Sequence, residues 1–385
     1  MSNSPASLYV ACMQQRSAFL WFDLCRFLAA MIVVLEHARD LTWVSAPMAP
    51  DAGLVYKMVY LVTGFGHEAV IIFFILSGFW ISSTVDRRRH LPDFSSKYLI
   101  DRLTRLLIVL VPALVIGGSL DMVGAYGMNG QLYQGPVGAT ISHSVVSSLT
   151  PSAFIGNLAF LQTLLVPAFG SNGPLWSLAY EFWYYMWYPA LLLSLTKRRL
   201  SPFIASLIIA ALWPKLVPGF AVWMLGSILY RLDARRIGRD SLSATVKWSL
   251  LGTSILLSLG MLVASRLRFF SDESSTLVVG LSFFFLFWSI LLVEPRFPRS
   301  FKAMTKYGAA SSFSIYVTHF PFVALVATVF LHGERLYPNL LALATLSGII
   351  LAAWAYGWLF SQATEARTAS VRSWLNKREP IKAHA

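Results

Sequence analysis

Along this chain apolar residues run in blocks of about 20, separated by short polar stretches, and a helix of that length crosses the roughly 30 Å hydrocarbon core of a bilayer. The pattern predicts ten spans, at residues 18–40, 65–85, 101–120, 175–195, 200–214, 216–231, 246–265, 275–293, 309–331 and 338–360. The fifth is short and interrupted at Pro214. A further apolar stretch, 152–168 (SAFIGNLAFLQTLLVPA), is expected to be re-entrant or interfacial, because a crossing there would invert the topology of everything after it. The predicted fold is an all-α integral membrane bundle of about ten helices.

Composition strengthens that expectation. Of 385 residues, 56% are hydrophobic and 13% charged, against roughly 45–50% and about 25% in soluble domains. The first 17 residues are small and polar and fit no cleavable signal, so the first apolar run is expected to remain as a span. Cys12 and Cys25 supply neither a disulfide framework nor a metal cluster, and no metal site is expected. The net charge of +13 raises the question of nucleic acid. Its basic residues, however, sit in short clusters at the ends of apolar runs, not in one patch interleaved with aromatics, which argues against that partner.

Lys and Arg instead set the orientation. With a cytoplasmic N-terminus the inner segments hold 24 of them, including Arg16, the run of Lys197, Arg198 and Arg199, and Lys382, while the outer segments hold 6. This is the positive-inside asymmetry with both termini cytoplasmic. The loop from about 121 to 151 has no Lys or Arg and is rich in Gly and Ser, as expected of an outer loop covering a cleft.

Polar groups inside apolar blocks carry the candidate chemistry. In RFLAAMIVVLEHARD, Arg26 and His37 are 11 residues apart, three turns plus about 20°, so they share a helical face about 16 Å apart along the axis. A charge within a span normally faces protein or a wet cavity and marks function. Histidine suits general-base work at neutral pH. The plainer alternative makes His37 interfacial, pairs Glu36 with Arg39 on the surface, and neutralises Arg26 with Asp23.

In GHEAVIIFFILSGFWIS, Ser77 and Gly78 read as close-packing positions, while His67 and Glu68 sit at the outer end, facing headgroups or lining a cleft. Arg102 and Arg105 lie three apart at the inner start of a span, where two guanidiniums can face one phosphate. Arg87, Arg88 and Arg89 need no more than the topology signal. In GPLWSLAYEFWYYMWYP the aromatics Trp176, Tyr180, Trp183, Tyr184, Tyr185, Trp187 and Tyr188 read as an interfacial belt or a sugar-stacking platform. Glu181 lies one to two turns inside that helix and demands a partner, an Arg or a substrate. His319, in SSFSIYVTHFPF, is again a polar side chain at depth, as a packing residue or a site residue.

Taken in order, the Arg–His pair of the first span, FFILSGF, RLTR, WSLAYEFWYY, SIYVTHFP and EARTASVRSWL resemble the acyltransferase 3 family of integral membrane O-acyltransferases. The resemblance implies a ten-span bundle over residues 1–365 with a basic cytoplasmic tail at 366–385, in the cytoplasmic (inner) membrane. It implies transfer of an acyl group, usually acetyl, from cytoplasmic acyl-coenzyme A to a hydroxyl of a cell-surface or exported polysaccharide or glycolipid, with no permanently bound cofactor.

By position, His37 matches the family's essential His and Arg26 its partner, Arg102 and Arg105 the arginine pair, Trp176, Ser177 and Glu181 the WS and Glu elements, and His319 the later His. Arg26, His37 and Glu181 are then expected in catalysis, Arg102 and Arg105 on the donor, and Trp176, Ser177, Glu68 and His319 on the substrate. Cys25 stands where Leu is common, and Glu36 beside the His is a second departure. With about 20 residues after its last predicted span, the chain is expected to lack the hydrolase-like domain of fused members. Direct attack on the thioester and an acyl-enzyme route through His37 or a Ser both suit these residues. The rival from another class is a transporter or flippase of a glycan or lipid-linked intermediate, for which polar depths and broken helices are equally expected and coenzyme A is not needed.

Overall fold

The computed structural model describes residues 16–128, 130–135, 141, 143–197 and 200–378. Cys12, Arg198, Arg199 and Lys382 lie outside the described residues. Every predicted span is a helix. In chain order the helices used below are α1 (Ser17–Thr42), α2 (Leu54–Val62), α3 (Gly66–Arg88), α4 (Phe94–Met122), α5 (Pro151–Leu158), α6 (Trp176–Lys197), α7 (Leu200–Leu212), α8 (Leu216–Ala234), α9 (Ala244–Arg266), α10 (Asp272–Val293), α11 (Lys302–Leu331), α12 (Leu340–Ala363) and α13 (Thr368–Arg378). Among the described residues there is no strand, only two isolated bridges.

Among the described residues, seven helical stretches are long and apolar enough to cross a membrane, which makes this a multi-pass membrane protein. The ambiguous stretch at 152–168 folds as the eight-residue α5 followed by irregular chain. At 1.5 Å per residue it rises only about 12 Å and cannot cross as a helix. Side-chain caps set several starts: Thr150, Ser243, Ser271 and Asn339 each accept from a backbone N–H three residues on.

The chain divides into two compact units. One comprises the residues up to Val33, Gly64–Arg87 and Met186–Ala309. Its tightest crossing is glycine on glycine: a Cβ at Gly78 would overlap the Trp223 carbonyl, and one at Gly226 the Ile75 carbonyl. Ser77 Oγ accepts from Trp223 Nε1 at 3.2 Å beside it. Both residues therefore act in packing, as small residues do where membrane helices touch through their backbones. Phe22 sits edge-on to Phe79 and Phe287 at 5.5 and 5.0 Å in the core of the same unit. At one end, Arg16 joins Asp233 at 2.7 Å and Glu294 at 2.6 Å, and Arg239 adds a second cation to Glu294 at 2.9 Å.

The second unit comprises Val34–Thr63, Arg88–Tyr185 and the chain from Ala310. Gly357 lies against the Ile315 backbone, and Trp43 Nε1 donates to the Ala342 carbonyl at 3.1 Å. Asp121, fully buried, accepts from the backbone N–H and the hydroxyl of Ser171, each at 2.7 Å, and so anchors the loop before α6 to α4.

The expected aromatic belt is corrected here. Tyr184, Tyr185, Trp187 and Tyr188 are each 5% exposed or less. Two of the hydroxyls find partners inside: Tyr188 accepts from Ser227 at 3.3 Å, and Tyr185 donates to Glu181 at 2.5 Å.

Gly78→Ala is expected to lower stability by about 1–3 kcal/mol, because its methyl meets a backbone oxygen that no rotamer change can move. Gly252→Ala, where nothing lies within 4 Å of the new methyl, should be close to neutral. Thermal unfolding of the two variants in detergent checks the difference.

Candidate active site

The second unit gathers most of the residues singled out from the sequence. Its organising feature is a proline inside α11. Pro321 has no N–H, so the Val317 carbonyl one turn earlier loses its helical donor. Asn172 Nδ2 replaces it at 2.8 Å. The turn bounded by these groups carries His319, and Tyr316 immediately precedes it.

His319 is fully buried. Its Nδ1 lies 2.7 Å from the Tyr316 carbonyl and 3.2 Å from that of Ile315. Carbonyls only accept, so Nδ1 holds the hydrogen. Among the described residues no carboxylate pairs with either ring, and a buried imidazolium without a counter-ion is costly, so the neutral form follows. Its Nε2 is then an acceptor, and it stands 2.9 Å from His37 Nδ1. His37 therefore donates from Nδ1 and keeps its lone pair on Nε2, which has no partner among the described residues. The two rings stack with centroids 5.2 Å apart at 12°, and Phe320 closes the His37 ring edge-on at 5.1 Å.

Tyr316 extends this arrangement to α6. Its hydroxyl donates to the Pro174 carbonyl at 2.8 Å, which leaves its oxygen to accept from Ser177 Oγ at 2.6 Å. Trp176, beside Ser177, lies edge-on to Tyr180 at 5.2 Å. One turn on, Glu181 accepts from the Tyr185 hydroxyl at 2.5 Å. The partner demanded for Glu181 is thus a tyrosine one turn away, and among the described residues Glu181 makes no ion pair with Arg102 or Arg105.

Those two arginines have no ion-pair partner among the described residues. Arg102 lies over the Tyr98 ring at 5.8 Å, and its Nε is buried without an acceptor. The adjacent carboxylate, Asp101, is engaged by Arg88 at 2.8 Å and by Arg372 of α13 at 3.5 Å. Two cations, one with an orphaned buried donor, fit an anionic ligand such as a phosphate.

Arg26 and Glu68 belong to the other unit. Arg26 pairs with Asp23 at 3.0 Å and donates to the Ala309 carbonyl at 3.2 Å, so the neutralising pair expected as the plainer alternative is formed. Glu68 is buried and accepts from Ser265 Oγ at 2.5 Å, with Ser275 next in the same network. His67 meets Thr276 at 3.1 Å. The surface pair of Glu36 and Arg39 is corrected: Arg39 is only 6% exposed and bonds Thr63 Oγ1 at 3.0 Å and Asp40, because Tyr60 and Thr63 cover it.

Sequence reasoning did not single out Tyr316, Asn172, Asp101 or Arg372. Pro321 was the available signal for Asn172, since a proline in a span implies a carbonyl seeking a donor. Among the described residues no group of three or more His, Cys, Asp or Glu is placed to hold a metal ion.

Residues 19–358 match a family model described as an acyltransferase domain, acyltransferase 3. An O-acetyl transferase of Shigella phage Sf6 is 29% identical over 167 residues, which is 43% of this chain. The match spans 43% of that relative's own length. No solved structure matches.

The hydrogen-bond order fixes a tautomer that nitrogen-15 spectra of histidine-labelled protein can read. His37 is expected as the Nδ1–H form in the wild type. His319→Phe removes the acceptor and should release His37 to the mixed population of a free imidazole.

Proposed function

The chain belongs to the acyltransferase 3 family, and on that premise we propose that it is a membrane O-acyltransferase. It moves an acetyl group from cytoplasmic acyl-coenzyme A to a hydroxyl of a cell-surface or exported polysaccharide or glycolipid. In this reading ten helices cross the cytoplasmic membrane and both termini are cytoplasmic, as the 24-to-6 distribution of Lys and Arg supports.

The observation that carries the proposal is His37 held through Nδ1 by His319, with the Nε2 lone pair unclaimed. A base nitrogen of fixed tautomer is what deprotonation of a weakly acidic hydroxyl requires. The acceptor O–H gives its proton to Nε2 as its oxygen attacks the thioester carbonyl. The tetrahedral intermediate then collapses, the C–S bond breaks, and the sulfur of coenzyme A takes the proton back from Nε2. The products are the acetyl ester and the free thiol. The Nδ1–H bond to His319 stabilises the transient imidazolium without accepting its charge.

Arg102 and Arg105 hold donor phosphates, a role supported by their lack of carboxylate partners. Glu181, through Tyr185, is a positioning residue between that pair and the Ser177–Tyr316 end of α6. Arg26 enters from the sequence pattern alone, as the residue expected to orient the donor's arm.

His37→Ala should reduce transfer of radiolabelled acetyl from acetyl-coenzyme A to surface glycan by roughly 10²–10⁴-fold at matched expression. Arg102→Gln with Arg105→Gln should raise KM for acetyl-coenzyme A while leaving the rate at saturating donor largely intact. Full transfer by His37→Ala would overturn the assignment, and movement of unmodified glycan with no acetyl transfer would replace it with a transporter.

A further inference from the structure

A cavity of about 180 Å³ opens beside Leu41 of α1, and Gln131, Leu132, Ala327, Gly333, Glu334 and Arg335 line it further. Leu41 follows His37 by four residues, about 6 Å along the helix and about 40° around it. All of these residues lie in the unit that holds the two histidines.

Backbone bonds hold the lining segments in place. After α11 the chain turns through two left-handed residues, His332 (φ 51) and Gly333 (φ 88). The Glu334 N–H then closes on the Leu331 carbonyl at 2.8 Å. Leu336 donates to the Thr42 carbonyl at 2.8 Å and accepts from the Val44 N–H at 3.1 Å, so Glu334 and Arg335 are held between the ends of α11 and α1. Gln131 opens a short turn, Gln131–Tyr133, anchored by Gly130 N–H on the Gly124 carbonyl at 3.0 Å.

The lining is chemically specific. Its residues carry one amide, one carboxylate and one guanidinium beside the apolar Leu41, Leu132 and Ala327, with no net charge. Among the described residues neither Glu334 nor Arg335 has an ion-pair partner. A phosphate would meet the Glu334 carboxylate, and an acyl chain would leave three polar groups unmatched. A sugar ring fits the set: its hydroxyls donate to Glu334, accept from Arg335 and do both with Gln131, while its C–H face lies on Leu41 and Ala327.

We propose that this cavity is the acceptor site, taking an uncharged sugar residue of the glycan and presenting its hydroxyl to His37. The proposal rests on reading His37 as the base.

The test titrates de-O-acetylated surface polysaccharide at saturating radiolabelled acetyl-coenzyme A, and then the reverse, on wild type and three variants. Gln131→Trp fills the cavity from an exposed position. Glu334→Gln and Arg335→Gln remove its charges with little change of shape, and they keep the test readable if the tryptophan variant fails to accumulate.

KM for the polysaccharide should rise about tenfold or more in each, equivalent to about 1.4 kcal/mol of lost binding, with KM for acetyl-coenzyme A unmoved. A wild-type KM for polysaccharide in these variants overturns the cavity assignment, as does an equal shift for both substrates, which marks a structural role. If the wild type cleaves no thioester and transfers no label, the acyltransferase reading itself falls. An active wild type with insensitive variants removes only the cavity.

Discussion

The missing N–H of Pro321 is the constraint from which the arrangement of the site follows. Inside a membrane-spanning helix a stranded carbonyl costs about 1–3 kcal/mol, and here Asn172 meets that cost by donating to Val317 at 2.8 Å. The loop before α6 is thereby tied to the one stretch of α11 that carries Tyr316 and His319. Tyr316 uses both ends of itself: its carbonyl holds the His319 ring, and its hydroxyl sits between Pro174 and Ser177. Each group is fixed by at least two others, so the ring that faces His37 has no freedom to present its other nitrogen.

A second constraint acts on charge. Asp101, Arg102 and Arg105 lie on consecutive turns of α4, and a carboxylate so close to two guanidiniums would ordinarily neutralise them. It does not, because Arg88 and Arg372 engage it from outside that pair. The result is a local excess of positive charge that is structurally maintained, with a buried Arg102 Nε left unmatched. An excess of that kind costs free energy in the empty protein and is repaid only by an anion. The short helix α13, which a composition-based reading treats as a basic tail, therefore contributes to the electrostatics of α4 through a single ion pair.

Much of this was legible in the sequence, and the part that was not has a physical reason. The helices follow from apolar blocks of bilayer length, and all ten segments so marked are helical. Gly78 and Ser77 were legible as packing positions because small residues in spans have few other uses. The aromatic run of α6 was misread as a belt, since composition cannot distinguish a ring at the headgroups from one whose hydroxyl finds a partner in the core. Nor can spacing within one helix name a partner on another. His319 was visible as a polar group at depth and Ser177 through the WS element of the family resemblance, but that Tyr316 joins them depends on the proline turn, a tertiary consequence. The Gln131 and Glu334–Arg335 rim was unmarked because each lies in a loop, where polar residues need no special explanation.

The direction of the hydrogen bonds also bears on the order of the proposed reaction. From His37 the chain of donors runs to His319 Nε2, and from His319 Nδ1 to the Tyr316 and Ile315 carbonyls. A backbone carbonyl cannot take up a proton, so this is an anchor and not a relay: nothing beyond His319 can carry charge away. A proton accepted at His37 Nε2 must leave by the same atom. In a transfer from a thioester the only new base formed there is the departing sulfur, and the proton that leaves the acceptor hydroxyl is the one that arrives on coenzyme A. An acyl-enzyme on His37 would occupy that lone pair, so His37 could no longer serve as the base, and only the thiolate released in the first step could take the acceptor's proton. The geometry of the pair therefore favours direct attack by the sugar hydroxyl over a covalent intermediate on the histidine.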